Sequence, residues 1–367
     1  MIMKKRFTAG IFMSVMAAMC LGGCQGNAGT AQTTAGTVES RPAETAAGTT
    51  ETAENAAKPS VSISVGVENG MADTMSKAVE QWAKLLAEKS GGSMELVLYP
   101  DSQLGSKNDL IDSMQLGENV ITIADGAFLA EYGAPDLGIL YGPYLFDNWD
   151  QVWKLVDSAW FEEQDAKLGE NGLKVIAANW KLGERNLFLV EPMEHPEDLK
   201  GRKIRVPSNQ VQIEETNAIG ATATPMAAGE VYQALQTKTI DGLENVNSAL
   251  LSMRWCEVAK YVYEDEHVYN MAIWVGGTSM FDSLTDEQKT WLLESAEEAG
   301  LWNNEMQDQD AQSIRDELTG EQGVTFIPCT EEDKAKLVSM CESFYANGTA
   351  YGWSEGIYET IQEIIKE

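Results

Sequence analysis

The chain has 367 residues, with 57 Asp and Glu against 26 Lys and Arg, and a formal net charge of −31. Such acidity argues against nucleic acid as a partner, because binding its phosphates calls for clustered Lys and Arg. Beyond residue 60 about 300 residues remain, enough for two domains with a core each.

The elements follow in chain order. Lys4, Lys5 and Arg6 precede an apolar stretch over 7–21, the layout of a secretory signal. That stretch is shorter than the roughly 20 residues of a spanning helix. It runs into Leu21-Gly22-Gly23-Cys24, which resembles a lipobox, so residues 1–24 are expected to form a lipoprotein signal peptide with Cys24 lipidated. Residues 25–60 are rich in Thr, Ala, Gly and Glu and hold no aromatic residue. Such a segment buries too little apolar surface to offset the entropy of ordering, so a disordered tether is expected.

Residues 61–67 (VSISVGV) alternate and are β-branched, a strand pattern. A helix is expected over 71–89, with Met75, Ala78, Val79, Trp82, Leu85 and Leu86 at helical spacing and Gly91-Gly92 as its stop. A strand over 94–99, a helix over 107–116 and a strand over 119–124 complete a β-α-β-α-β start, which implies parallel strands. Next come a helix over 149–157 and strands over 173–180, 186–190 and 203–206. A helix over 210–219, a strand over 222–225, a helix over 230–236 and a strand over 239–243 close a second α/β unit. From Thr285, whose pairing with Gln288 has the form of a capping box, a helix runs to Gly320 with only Gly300 to interrupt it. At 1.5 Å per residue it is about 50 Å long, longer than one small domain.

Enzyme signatures are missing. The two histidines, His195 and His267, sit in no zinc pattern, and no phosphate-binding glycine loop or G-x-S-x-G is present. No metal, cofactor or catalytic residue is expected. Cys256, Cys329 and Cys341 read as buried thiols, with a Cys329–Cys341 bridge left open.

Five segments, in order, resemble the DctP family of periplasmic binding proteins that serve TRAP (tripartite ATP-independent periplasmic) transporters. They are YPDSQLGSKNDLIDSMQLGENVITIADG (99–126), PYLFDNWD (143–150), GER (183–185), HPEDLKGRKIRVP (195–207) and GATATPMAAGEVYQALQTKTIDGLEN (220–245). The resemblance implies a two-domain α/β periplasmic-binding-protein-like fold with crossing hinge strands and a long domain-bridging helix. The expected division is 61–182 with 271–310, and 183–270 with 311–367, hinged near Gly183 and Asn270-Met271. It also implies a ligand carboxylate held by Arg205 of the R-V-P motif, with Arg185 of G-x-R assisting and Asn245 closing D-G-x-E-N.

Guanidinium suits this task because its planar fork matches a carboxylate with two charge-assisted hydrogen bonds. The alternative is that both arginines pair with acidic neighbours, which this chain has in plenty. Asp125 follows a strand at the end where open α/β sheets place ligands, although a helix cap is an equal reading. Glu68 and Asn69 are candidates on the same ground, and Trp180 is a candidate for stacking on a sugar ring or else core. Many family members carry a bulky aromatic where Ala228 stands here, so the pocket is expected to be reshaped. The expectation is an extracytoplasmic, lipid-anchored binding protein, not an enzyme, that delivers a small carboxylate, a sugar acid by preference, to membrane subunits of the transporter. A ligand-sensing co-receptor for a membrane kinase and an extracellular enzyme on sugar acids are the rivals.

Overall fold

The computed structural model describes residues 59–366; the expected signal peptide, Cys24 and nearly all of the tether lie outside the described residues. The strands are β1 (Val61–Gly66), β2 (Met94–Tyr99), β3 (Val120–Ala124), β4 (Leu173–Leu189), β5 (Lys203–Val206), β6 (Thr222–Pro225), β7 (Gly242–Val246), β8 (Tyr261–Gly277) and β9 (Thr325–Pro328). The helices are α1 (Thr74–Lys89), α2 (Lys107–Gln115), α3 (Gly126–Leu129), α4 (Trp149–Val156), α5 (Ala159–Glu170) and α6 (Gln210–Ala218). They continue with α7 (Val231–Gln236), α8 (Asn247–Ser252), α9 (Thr278–Ser283), α10 (Asp286–Gly320), α11 (Glu331–Ala346) and α12 (Ile357–Lys366).

Among the described residues the strands form one sheet in the order β2-β1-β3-β8-β4-β7-β5-β6, with β9 also on β8. As expected from the β-α-β-α-β start, β1 is parallel to β2 and β3. The second unit repeats this, β5 lying parallel to β6 and β7. The two units are joined by β4 and β8, 17 residues each and antiparallel along their length. The late part of β8 pairs with β3 and the late part of β4 with β7, so each long strand serves both halves. These are the crossing strands that the resemblance implies.

Two departures from the sequence reading have physical causes. Residues 173–180 and 186–190 are one strand, not two, and continue through the GER stretch. Gly183 permits this by taking φ +135° beside a bulge in the β4–β8 register. The strand expected over 239–243 lies three residues later, as β7, where Gly242 comes so close to β4 that a Cβ would sit 2.4 Å from the Phe188 carbonyl. Strands β8 and β9 were not expected at all.

Helix α10 is uninterrupted over 35 residues, and the Thr285–Gln288 capping box is formed. Gly300 does not break it; the position marks its closest approach to β4. A Cβ there would lie 2.6 Å from Trp180 Cδ1. Trp180 Nε1 donates to the Ala296 carbonyl (2.9 Å), and Trp82 and Trp274 complete an edge-to-face cluster with centroids 5.1 to 6.0 Å apart. Farther along, Leu318 enters the core formed by Leu243, Trp255 and Val262. The helix therefore spans both halves of the sheet. At the C-terminus α11 rests on α6, whereas α12 rests on α4. Cys256, Cys329 and Cys341 are free thiols, so no bridge joins Cys329 to Cys341, and Cys329 is only partly buried.

Candidate functional site

A narrow cleft lies where the halves face each other. Strand ends build it. Glu68 and Asn69 follow β1 and Asp125 follows β3; Arg205 sits in β5, Asn245 in β7 and Arg185 in β4 at the crossing. All six line the cavity. The seventh candidate, Trp180, does not. It is fully buried in the indole cluster against α10, on the core side of the sheet, so its assignment as a ligand contact is corrected to core.

The two arginines differ sharply. Arg185 is 3% exposed and already has a carboxylate. Its Nε and Nη2 chelate the Glu244 carboxylate, the Nη2 contact at 2.9 Å. Nη2 also donates to the Glu244 carbonyl at 3.1 Å, and Nη1 to Asn270 Oδ1 at 2.9 Å. What remains for a ligand is one N–H on Nη1. Burial alone would raise the Glu244 carboxyl, but the charge and hydrogen bonds of Arg185, with His267 close by, hold it at about 2. Tyr141 adds a hydroxyl to Glu244 (2.8 Å) and an aromatic face 5.3 Å from the Arg185 guanidinium.

Arg205 is 2% exposed and has no carboxylate within 4.0 Å among the described residues. Its Nε and Nη2 donate to the Met226 carbonyl at 3.0 and 2.8 Å. The outer end of the fork is left towards the cavity. Burial pulls its pKa below the ordinary value, with Glu68 and Glu244 opposing from a distance. A buried cation of this kind is costly unless something anionic completes it.

On the facing wall, Lys107 lies 3.6 Å from Glu68 and 4.3 Å from the centre of the Phe128 ring. Asp125 Oδ1 accepts the Phe128 N–H (3.1 Å) as the cap of α3, so both readings of Asp125 hold: cap and cavity wall. Burial raises its carboxyl, partly offset by Lys107 and Arg185. Asn245 turns its carbonyl oxygen to the Val246 N–H (2.8 Å), leaving its NH₂. Ala228 does line the cavity. A second groove beside α1 and α8 is lined by Asp73, Glu257, Asp310 and Glu317 together with Lys77 and Arg254, so carboxylates outnumber cations there.

Behind the arginines lies a buried polar layer that the sequence reading missed. His267 Nδ1 is 3.0 Å from Asp265 and its Nε2 is 3.6 Å from Glu244. Glu215 of α6 is fully buried, and burial pushes its carboxyl up to about 7 although His267 opposes this. A carboxyl raised from about 4.5 to about 7 stabilises the fold fully below about 4.5 and loses that effect as pH climbs to about 7. Glu215→Gln is therefore expected to flatten the fall of unfolding free energy over that window, as measured by urea titrations at several pH values. An unchanged slope would show that Glu215 is not the titrating group.

The likeness to known proteins accords with this geometry. The model of the DctP family, bacterial extracellular solute-binding protein family 7, matches residues 65–350. The 2,3-diketo-L-gulonate-binding periplasmic protein of Escherichia coli (strain K12) is 32% identical over 267 residues, covering 72% of this chain and 80% of its own. Among solved structures, a TRAP periplasmic solute-binding protein from Ochrobacterium anthropi with bound L-fuconate is 39% identical. It superposes with a TM-score of 0.80 over 83% of this chain and 99% of its own. A second, from Actinobacillus succinogenes 130z with bound L-galactonate, is 31% identical with a TM-score of 0.77, over 83% of this chain and 99% of its own.

Proposed function

Because the chain belongs to the DctP family of bacterial extracellular solute-binding proteins, we propose that it captures a small sugar acid and presents it to the membrane subunits of a TRAP transporter. The observation that carries this reading is Arg205, a buried guanidinium facing a cavity with no carboxylate of its own. A ligand carboxylate completes it. Glu68 and Asp125 on the facing wall accept hydrogen bonds from hydroxyl groups, which a polyhydroxylated acid offers and a plain fatty acid does not. The relatives named above carry sugar acids or are named for one, which supports the same class.

The two rigid halves we propose are 61–182 with 271–310, and 183–270 with 311–367, α12 reaching back to α4 as a strap. Gly183 faces Asn270 in the register of the crossing strands, beside the bulge. Bending there opens and closes the cavity. The family is one of binding proteins, and no catalytic step is assigned to this site. Cys24 is proposed as the lipid anchor that keeps the protein at the outer face of the membrane.

Thermal unfolding of the protein with and without L-fuconate, L-galactonate and succinate tests the reading. A ligand at about 100 times its Kd adds about 2.7 kcal/mol to the native state, so a sugar acid is expected to raise the midpoint clearly and succinate not to. Silence towards every sugar acid, or a response to succinate alone, would sink the sugar-acid assignment.

A further inference from the structure

We propose that Gln212 is a second anchor for the ligand carboxylate, donating from its side-chain NH₂ beside Arg205; this rests on the sugar-acid reading of the cavity. Gln212 lies in the first turn of α6, is fully buried, and lines the cavity together with Arg205 and Ala228. Its orientation is fixed by its neighbour. Asn209 caps α6, its Oδ1 accepting the Gln212 backbone N–H at 2.9 Å. That leaves Asn209 Nδ2 as a donor, and the atom it meets on Gln212 must be an acceptor, Oε1. The carboxamide is planar, so Nε2 points away from Asn209, and it has no hydrogen-bond partner.

A buried NH₂ held this firmly with nothing to donate to is unusual, since buried polar groups are nearly always paired. What it can take is restricted. With Oε1 engaged it offers only donors, so it suits a group that only accepts. A carboxylate has about four lone-pair sites, and the outer end of the Arg205 fork fills two at most because Nε and one side of Nη2 go to Met226. Donors from β5 and α6 line one wall, whereas the carboxylates Glu68 and Asp125, with Lys107 beside Glu68, line the other. A sugar acid enters with its carboxylate towards Arg205 and Gln212 and its hydroxyls towards the acids. A small residue at Ala228 leaves the space this needs.

Calorimetric affinities for whichever of L-galactonate and L-fuconate binds more tightly test the proposal in the unsubstituted protein, Gln212→Met and Gln212→Glu. One hydrogen bond to a charged group corresponds to about tenfold or more in affinity, so Gln212→Met is expected to lose at least about tenfold. Gln212→Glu keeps an acceptor for Asn209 and guards against a folding artefact. It is expected to bind more weakly still near neutral pH and to recover on acidification, as its carboxyl gains the proton it needs to donate. A Gln212→Met chain that binds like the unsubstituted one, or a Gln212→Glu loss that does not change with pH, overturns the anchor. If Arg205→Ala removes binding while both Gln212 variants bind normally, the sugar-acid reading stands and the anchor alone fails. An unsubstituted protein that binds neither acid removes both.

Discussion

Replacement of Arg205 by alanine is expected to abolish ligand binding and to leave the fold as stable as before, or more so. The first half follows from chemistry at the cavity wall. Truncating one partner of a buried, hydrogen-bonded charge pair costs about 2–5 kcal/mol, a loss of roughly 30-fold to several thousandfold in Kd. The second half follows from what Arg205 lacks. Without ligand its charge is buried with only the Met226 carbonyl as a partner, and removing an uncompensated buried charge relieves a penalty. An arginine kept for structure behaves in the opposite way, its loss lowering stability with little effect on affinity. Calorimetric binding and urea unfolding of the same variant separate the cases. Retained ligand stabilisation in Arg205→Ala would end the assignment.

Glu244→Gln is expected to be the most destabilising single change near the site. Glu244 holds Arg185 in a chelate and also receives the Tyr141 hydroxyl, all of it buried. Breaking one member of such a pair leaves a buried charge uncompensated, at a cost of about 3–5 kcal/mol, or on the order of 10 °C in Tm. The double variant Arg185→Met with Glu244→Leu is expected to regain much of the loss, because both charges leave together. The pH sign is definite. A carboxyl held at about 2 stabilises the fold above its ordinary 4.5 and loses that contribution as pH falls towards 2. Acid unfolding should therefore be shallower in Glu244→Gln. Equal stability of Glu244→Gln and the unsubstituted chain at neutral pH would show that Arg185 is compensated some other way.

Much of this was legible in the residues, for reasons that can be stated. Helix α1 announces itself because Met75, Ala78, Val79, Trp82 and Leu86 fall on one face, and all are buried. The capping pair Thr285–Gln288 fixes the start of α10. Most cleft residues lie at or near the ends of parallel strands, Arg185 at the antiparallel crossing being the exception, and six of seven candidates line one cavity. Trp180 misled because alternation along a strand does not say which face is covered by a helix; α10, more than a hundred residues later in the chain, decides that. Strand β8 was hidden by its own chemistry. Its stretch Glu264-Asp265-Glu266-His267 reads as a polar loop, yet Asp265 and His267 are buried because they answer each other and Glu244. Glu244 stood inside a quoted motif, but nothing in sequence marks which of many carboxylates meets Arg185. Gln212 carries no local signal either; only the pairing with Asn209 exposes its unsatisfied end.

The crossing of β4 and β8 also dictates an order of assembly. Strand β3 receives its second neighbour only from residues 273–276, and the long strand β4 pairs with β8 almost throughout. A chain that emerges amino-terminus first therefore lacks the middle of its sheet until Gly277 has followed. Neither half can close over its own contiguous sequence, and contacts so distant along the chain form slowly. A polypeptide built this way commits to its native sheet only once residues 261–277 have joined it.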